Sequence, residues 1–341
     1  MNRFLTILLL FGTLYCLSAS AQAQVAATAQ YGVIIAGIGG EPEYVDKHWK
    51  WAGGLYRALR DEGGFAPERL FLLAENPSLE PANPARKSSL EEIRQVFGAL
   101  AERMTANDLL IVILIGHGNA NENDPKLSIP GPDLSGAELA SLLGDIKAGR
   151  SIVVHGGSSS APFIKLLSGP NRAILTATKS AGERLATVFS EYFLASLTPG
   201  NSDLDKDGRV SVLEAFTYTR LKTAAWYEDE GRIATEHPLL DDNGDGVGSR
   251  DPGAADADGT LARSITFGGK TAARVTTKLS SESQKQLTAL STQVHDLQRQ
   301  IDDLKRTKET LPAETYAGRL ESLLVKLARL NKEMKTLQEG R

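Results

Sequence analysis

The chain has 341 residues and a formal charge of −4, with 41% hydrophobic and 23% charged residues. That length holds one sizeable domain with extensions, or two domains, and the composition is that of an ordinary globular protein. The weak negative charge argues against nucleic acid as a partner.

Arg3 gives a short basic start, and FLTILLLFGTLYCL is an apolar stretch too short for a comfortable membrane span. ASAQAQ follows with small residues at A-x-A spacing, so residues 1–23 read as a signal peptide cut after Ala21 or Ala23. Export to the periplasm or the extracellular space is expected, with no membrane association after cleavage. Cys16 is the only cysteine, and Tyr15 before it argues against lipid attachment. The mature chain is then without disulfide, thiol nucleophile or thiolate metal ligand.

From residue 30 to about 200, short apolar runs alternate with helical periods. YGVIIAGI is a first strand, Lys47–Asp61 a helix and LFLLAE a second strand. Ser88 or Ser89 with Glu91 or Glu92 forms a capping box that opens a helix reaching about Met104. DLLIVILIG is apolar throughout, as a central parallel strand covered on both faces must be. Ser135 with Glu138 caps another helix, SIVVHG is a fourth strand and RAILTAT a fifth. This order predicts an α/β three-layer sandwich with a mostly parallel sheet. A helix is expected between Ala181 and Leu197, broken by TPGNS.

The segment 201–262 reads as a calcium-binding region. DLDKDGRVSVLE places Asp203, Asp205 and Asp207 at positions 1, 3 and 5 of a twelve-residue loop. Gly208 stands at the sharp turn, Val210 at the apolar eighth position and Glu214 at the twelfth. This is the EF-hand pattern: Arg209 offers its carbonyl, Ser211 a bridging water and Glu214 two oxygens to a hard Ca2+ ion. Outside the cytosol such a loop stays filled, a stabilising clip rather than a switch. A helix is expected over Leu213–Arg232. Then Asp241, Asn243 and Asp245 repeat the first three ligand positions with Gly246 at the turn, but Pro252 occupies the twelfth. Weaker or differently shaped coordination follows from that lost anchor. Asp256 and Asp258-Gly259 form a fragment of a third such motif, and the whole stretch after the helix reads as looped.

Over 276–341, Leu287, Leu290, Val294, Leu297, Ile301 and Leu304 alternate spacings of three and four. Pro312 interrupts, and Tyr316, Leu320, Leu323, Leu327, Leu330, Met334 and Leu337 resume the rhythm. Two helices joined near Lys308–Glu314 predict an antiparallel helical hairpin or coiled coil, serving packing, self-association or a protein partner.

Ligands bind at the carboxyl ends of such a sheet, and two strand ends carry chemistry. DLLIVILIGHGN ends in Gly116-His117-Gly118, and SIVVHGGSSSAPF ends in three serines. This ordered pair over residues 30–200 resembles the caspase-like cysteine peptidases, specifically the legumain and gingipain relatives. The resemblance implies His117 as general base, Gly157 at the family's alanine, Ser158 at the nucleophilic cysteine and Ser160 at the motif serine. Exchanging sulfur for oxygen removes an accessible thiolate, and a serine hydroxyl needs a firmly oriented base. A non-catalytic domain that acts by binding or assembly is therefore expected, with an active hydrolase using Ser158 and His117 as the alternative. A third reading treats the resemblance as accidental and leaves a calcium-stabilised scaffold. His155 is a structural histidine or an alternative base. His48, His237 and His295 form no metal-ligand spacing, and Gly37-x-Gly39 fails as a nucleotide loop because Pro42 takes the third glycine's place.

Overall fold

A computed structural model describes residues 28–78, 85–119, 121–204, 208–253, 258–267 and 311–338, with single positions between 286 and 308. Its centre is the run Leu109–Ile115 (β4), whose seven residues are all buried. Alternation sends them to two different cores. Leu109, Ile111, Ile113 and Ile115 join one apolar cluster, while Leu110, Val112 and Leu114 join the other.

The chain enters through β1 (Gln30–Ala36), α1 (Pro42–Asp61), β2 (Leu70–Ala74), β3 (Ala85–Lys87) and α2 (Leu90–Arg103). After β4 come a small hairpin, β5 (Lys126–Leu127) and β6 (Leu134–Ser135), and α3 (Gly136–Gly144). Then follow β7 (Arg150–His155), α4 (Pro162–Leu167), β8 (Arg172–Thr176) and α5 (Phe189–Ser196). The last part of the domain holds β9 (Val210–Ser211), α6 (Val212–Asp229), β10 (Leu239–Asp241), α7 (Thr260–Ser264) and β11 (Thr266–Phe267). Seven strands make one sheet in the order β10-β8-β7-β4-β1-β2-β3, parallel except for β10. Trp51 and Leu55 of α1, Phe193 of α5 and Phe216 of α6 cover one face. Phe97 of α2, Leu139 of α3 and Phe163 of α4 cover the other. The predicted α/β architecture of helices on both faces of a mostly parallel sheet is present.

Local chemistry explains several boundaries. Ser89 and Ser135 cap α2 and α3 by accepting the amides of Glu92 and Glu138. The first helix begins at Pro42, five residues before the expected start, because proline suits a first helical turn. The helix expected from Ala181 is confined to Phe189–Ser196. Ahead of it, the buried Glu236 carboxylate accepts the amides of Val188 and Phe189 at 2.8 and 3.2 Å and so fixes where the helix starts. The stretch from Leu239, read as looped, supplies the edge strand β10, paired antiparallel with β8. Its three residues are too few for a periodic signal.

Beyond the domain, α8 (Ala313–Gln338) is described in full as backbone. Tyr316, Leu320, Leu323, Leu327 and Leu330 are its protected positions, at the spacing the sequence pattern requires. Leu290, Ile301 and Leu304, also on the expected seam, are buried and helical. Leu287, Val294, Met334 and Leu337 lie outside the residues whose side chains are described, as does the whole of residues 1–23. Among the described residues, no helix is long and apolar enough to cross a membrane.

Candidate functional site

Parallel pairing of β4 with β7 brings the two suspect strand ends together. Past those ends, Gly118 N–H donates to Ser158 Oγ at 3.2 Å. The approach is backbone on backbone. A Cβ on Gly118 would sit 2.4 Å from the Ser158 carbonyl oxygen, and one on Gly157 would sit 2.4 Å from the Gly116 oxygen. Either Gly118→Ala or Gly157→Ala is thus expected to cost about 1–3 kcal/mol by forcing the strand ends apart. Urea unfolding of the variants checks this.

Ser158 is 1% exposed. Its neighbour Ser159 takes φ +52, unusual for a residue with a side chain. Two hydrogen bonds hold that strained turn: Ser159 N–H to the Glu183 carbonyl at 2.8 Å and Ser159 Oγ to the Ala181 carbonyl at 2.9 Å. The Ser160 hydroxyl accepts the amides of Ala177 and Thr178 at 3.1 and 3.2 Å, a structural role between β7 and β8.

The His117 ring turns toward α1. It lies edge-on to Tyr44 at 5.2 Å and beside His48 at 5.2 Å. Burial lowers its pKa, opposed by a hydrogen bond to the Gly39 backbone. Among the described residues, no hydrogen bond joins His117 to Ser158. His48 has no spacing relation to His117 in sequence, yet the first turns of α1, which starts shortly after β1 ends, bring the two rings together. Burial first, then His117, push His48 down to about 4.

His155 is a core residue. Its Nδ1 accepts Gly157 N–H at 3.2 Å, and its ring packs edge-on against Phe163 at 4.5 Å. Burial drives its pKa down to about 3, so it stays neutral and is unsuited to act as a base. On the β8 side lies a pair with no sequence signal. His237 Nδ1 hydrogen-bonds Glu183 Oε1, while Glu183 Oε2 accepts the His237 and Lys179 amides at 3.2 and 2.9 Å. The partners are 54 residues apart, and only the return of the chain into β10 joins them.

The loop Asp203–Glu214 is described at both ends; residues 205–207 lie outside the described residues. Asp203 Oδ2 accepts Gly208 N–H at 3.0 Å, and Asp203 Oδ1 is buried without a hydrogen-bond partner. Glu214 Oε1 accepts Leu204 N–H at 2.9 Å, which closes position 12 onto position 2. Ser211 caps α6, and its Oγ donates to Glu214 Oε2 at 2.8 Å while accepting Glu214 N–H. Val210-Ser211 and Thr266-Phe267 form a two-residue antiparallel ladder, which fixes the exit of the loop. An orphaned carboxylate oxygen at position 1, with the twelfth carboxylate folded back over the loop, fits a hard cation.

The second acidic loop lies at the opposite end of the strands from His117 and Ser158, since antiparallel β10 ends beside the start of β8. Asp241 is fully buried there, Asn243 Oδ1 accepts Asp245 N–H at 2.7 Å, and Asp245 Oδ1 accepts Val247 N–H at 2.8 Å. Burial raises the pKa of Asp241, and raises that of Asp258 to about 6. Among the described residues, no three His, Cys, Asp or Glu side chains already stand as a metal-ligand group. The sequence matches no protein-family model and no characterised protein at a significant level.

Proposed function

We propose that this is an exported calcium-binding protein whose α/β domain is a non-catalytic relative of the caspase-like peptidases. It acts by binding or assembly, with the C-terminal helices as the self-association or partner element. One observation carries the reading. The Ser158 hydroxyl is buried and satisfied by the Gly118 amide, while the His117 ring faces His48 and Tyr44. A weakly acidic hydroxyl without an oriented base is a poor nucleophile. Calcium held at Asp203, Asp205, Asp207, the Arg209 carbonyl and Glu214 would tie the α5–α6 connection together.

The second reading, a hydrolase using Ser158 and His117, is favoured by the strained turn at Ser159, since backbone strain between a strand and a helix is a device of nucleophile turns. A serine-directed acylating probe separates the two. In saturating calcium the intact mass of the wild-type chain is expected to stay unchanged. Stoichiometric labelling that disappears in Ser158→Ala and in His117→Ala would establish the hydrolase instead.

A further inference from the structure

The second acidic loop lacks a side-chain oxygen where an EF-hand anchors its ion, because Pro252 stands at the twelfth position. Asp251, one place earlier, is already committed: it pairs with Arg220 at 3.0 Å. The chain instead returns with Asp258. Its Oδ1 accepts the amides of Asp242 and Asn243 at 2.9 and 3.3 Å, so its carboxylate sits over the opening residues of the loop. Asp242 secures that return by accepting Gly259 N–H at 2.8 Å and Ala262 N–H at 2.7 Å, which fixes α7 behind it.

A separate observation points to a missing ligand. Asp241 is fully buried, with Oδ1 accepting Gly244 N–H at 3.3 Å and Oδ2 left without a hydrogen-bond partner. The nearby Ser168 hydroxyl makes no hydrogen bond of ordinary geometry with it and is itself an orphan. No ion pair among the described residues includes Asp241, Asp245 or Asp258. A buried, unpaired carboxylate oxygen is costly without a cation. Asp258, 3% exposed, brings a second buried carboxylate back to the same loop, and a hard divalent ion binds through such oxygens.

We infer that Asp241, Asn243, Asp245 and Asp258 form a second calcium site in which Asp258 supplies the anchoring carboxylate that Pro252 cannot. Asp241, Asn243 and Asp245 contribute the other side-chain oxygens. The ion clips the edge strand β10 and α7 to the rest of the sheet, at the end of the strands away from His117 and Ser158. This deepens the calcium reading above and rests on the same exported, calcium-rich setting.

Equilibrium dialysis of the full mature chain against calcium tests it, with Glu214→Gln used to disable the first loop. Glu214→Gln alone is expected to keep one ion per chain. Adding Asp258→Asn, which retains the amide-accepting oxygen but loses the charge, should weaken that ion at least tenfold; adding Asp251→Asn should not. Circular dichroism of each variant checks that it is folded. If folded Glu214→Gln binds no ion, or if Asp258→Asn binds as tightly as its parent, the second site is refuted while the first can stand. A wild-type chain that binds none overturns both.

Discussion

Acidification from pH 7 to pH 4, with calcium chelated, is expected to cost the domain about 3 kcal/mol through His155 alone. The folded His155 pKa is depressed to about 3 from an ordinary 6.5. Its stabilising contribution is therefore whole above 6.5 and is lost as pH falls toward 3, because the unfolded chain binds a proton that the core refuses. Each unit crossed costs about 1.4 kcal/mol, which gives about 3 kcal/mol by pH 4. His48, held near 4, adds a loss of about the same size.

Glu236 works in the other direction. Burial raises its folded pKa from 4.5 to about 7, so its contribution is full below 4.5 and is lost as pH rises through 7. It offsets about 3 kcal/mol of the histidine loss on acidification. Asp258, raised to about 6, offsets about 2 kcal/mol more, so the net loss in the wild-type chain is about 1 kcal/mol and the His155 share is read by difference. Urea titrations at pH 7 and pH 4 read this directly. His155→Leu is expected to be less stable at pH 7, since Gly157 N–H loses its acceptor, but to lose about 3 kcal/mol less on acidification. Equal losses in the variant and the wild-type chain would show that His155 is not the titrating group.

Calcium withdrawal is expected to produce the second large effect. An ion present at a hundred times its dissociation constant stabilises the folded state by about 2.7 kcal/mol. For a domain of this size, that corresponds to a melting temperature lower by roughly 5–10 °C after chelation. Asp203→Ala should lower the melting temperature in calcium by a similar amount and leave little further response to chelator. The residue sits at loop position 1 with one carboxylate oxygen buried and unpaired, so the variant removes both a ligand and the acceptor of Gly208 N–H. The second effect persists without calcium, and comparing variant and wild-type chains in chelator separates the two.

Much of the domain was legible because its signals are local. The uninterrupted run at Leu109–Ile115 announced a central strand, and Ser89 and Ser135 announced helix starts. The meeting of the two strand ends, Gly118 against Ser158, followed from the parallel order of their strands. What escaped depends on long-range return of the chain. His48 reaches His117 only because α1 packs back on the face that holds β1 and β4. Glu183 meets His237, and Asp258 meets Asp242, only once β10 has added itself to the sheet edge. β10 is short and acidic at its end, so neither periodicity nor propensity marks it as a strand. The Ser158 hydroxyl bond to Gly118 was equally hidden, since it depends on two glycines allowing backbones within van der Waals contact.

Titrating the mature wild-type chain and Glu214→Gln with calcium at neutral pH decides whether the loop Asp203–Glu214 binds calcium as a structural clip. Saturable binding by the wild-type chain and loss of one equivalent in Glu214→Gln are expected, with a matching fall in melting temperature. Equal calcium uptake by the two chains, or none by either, would contradict it.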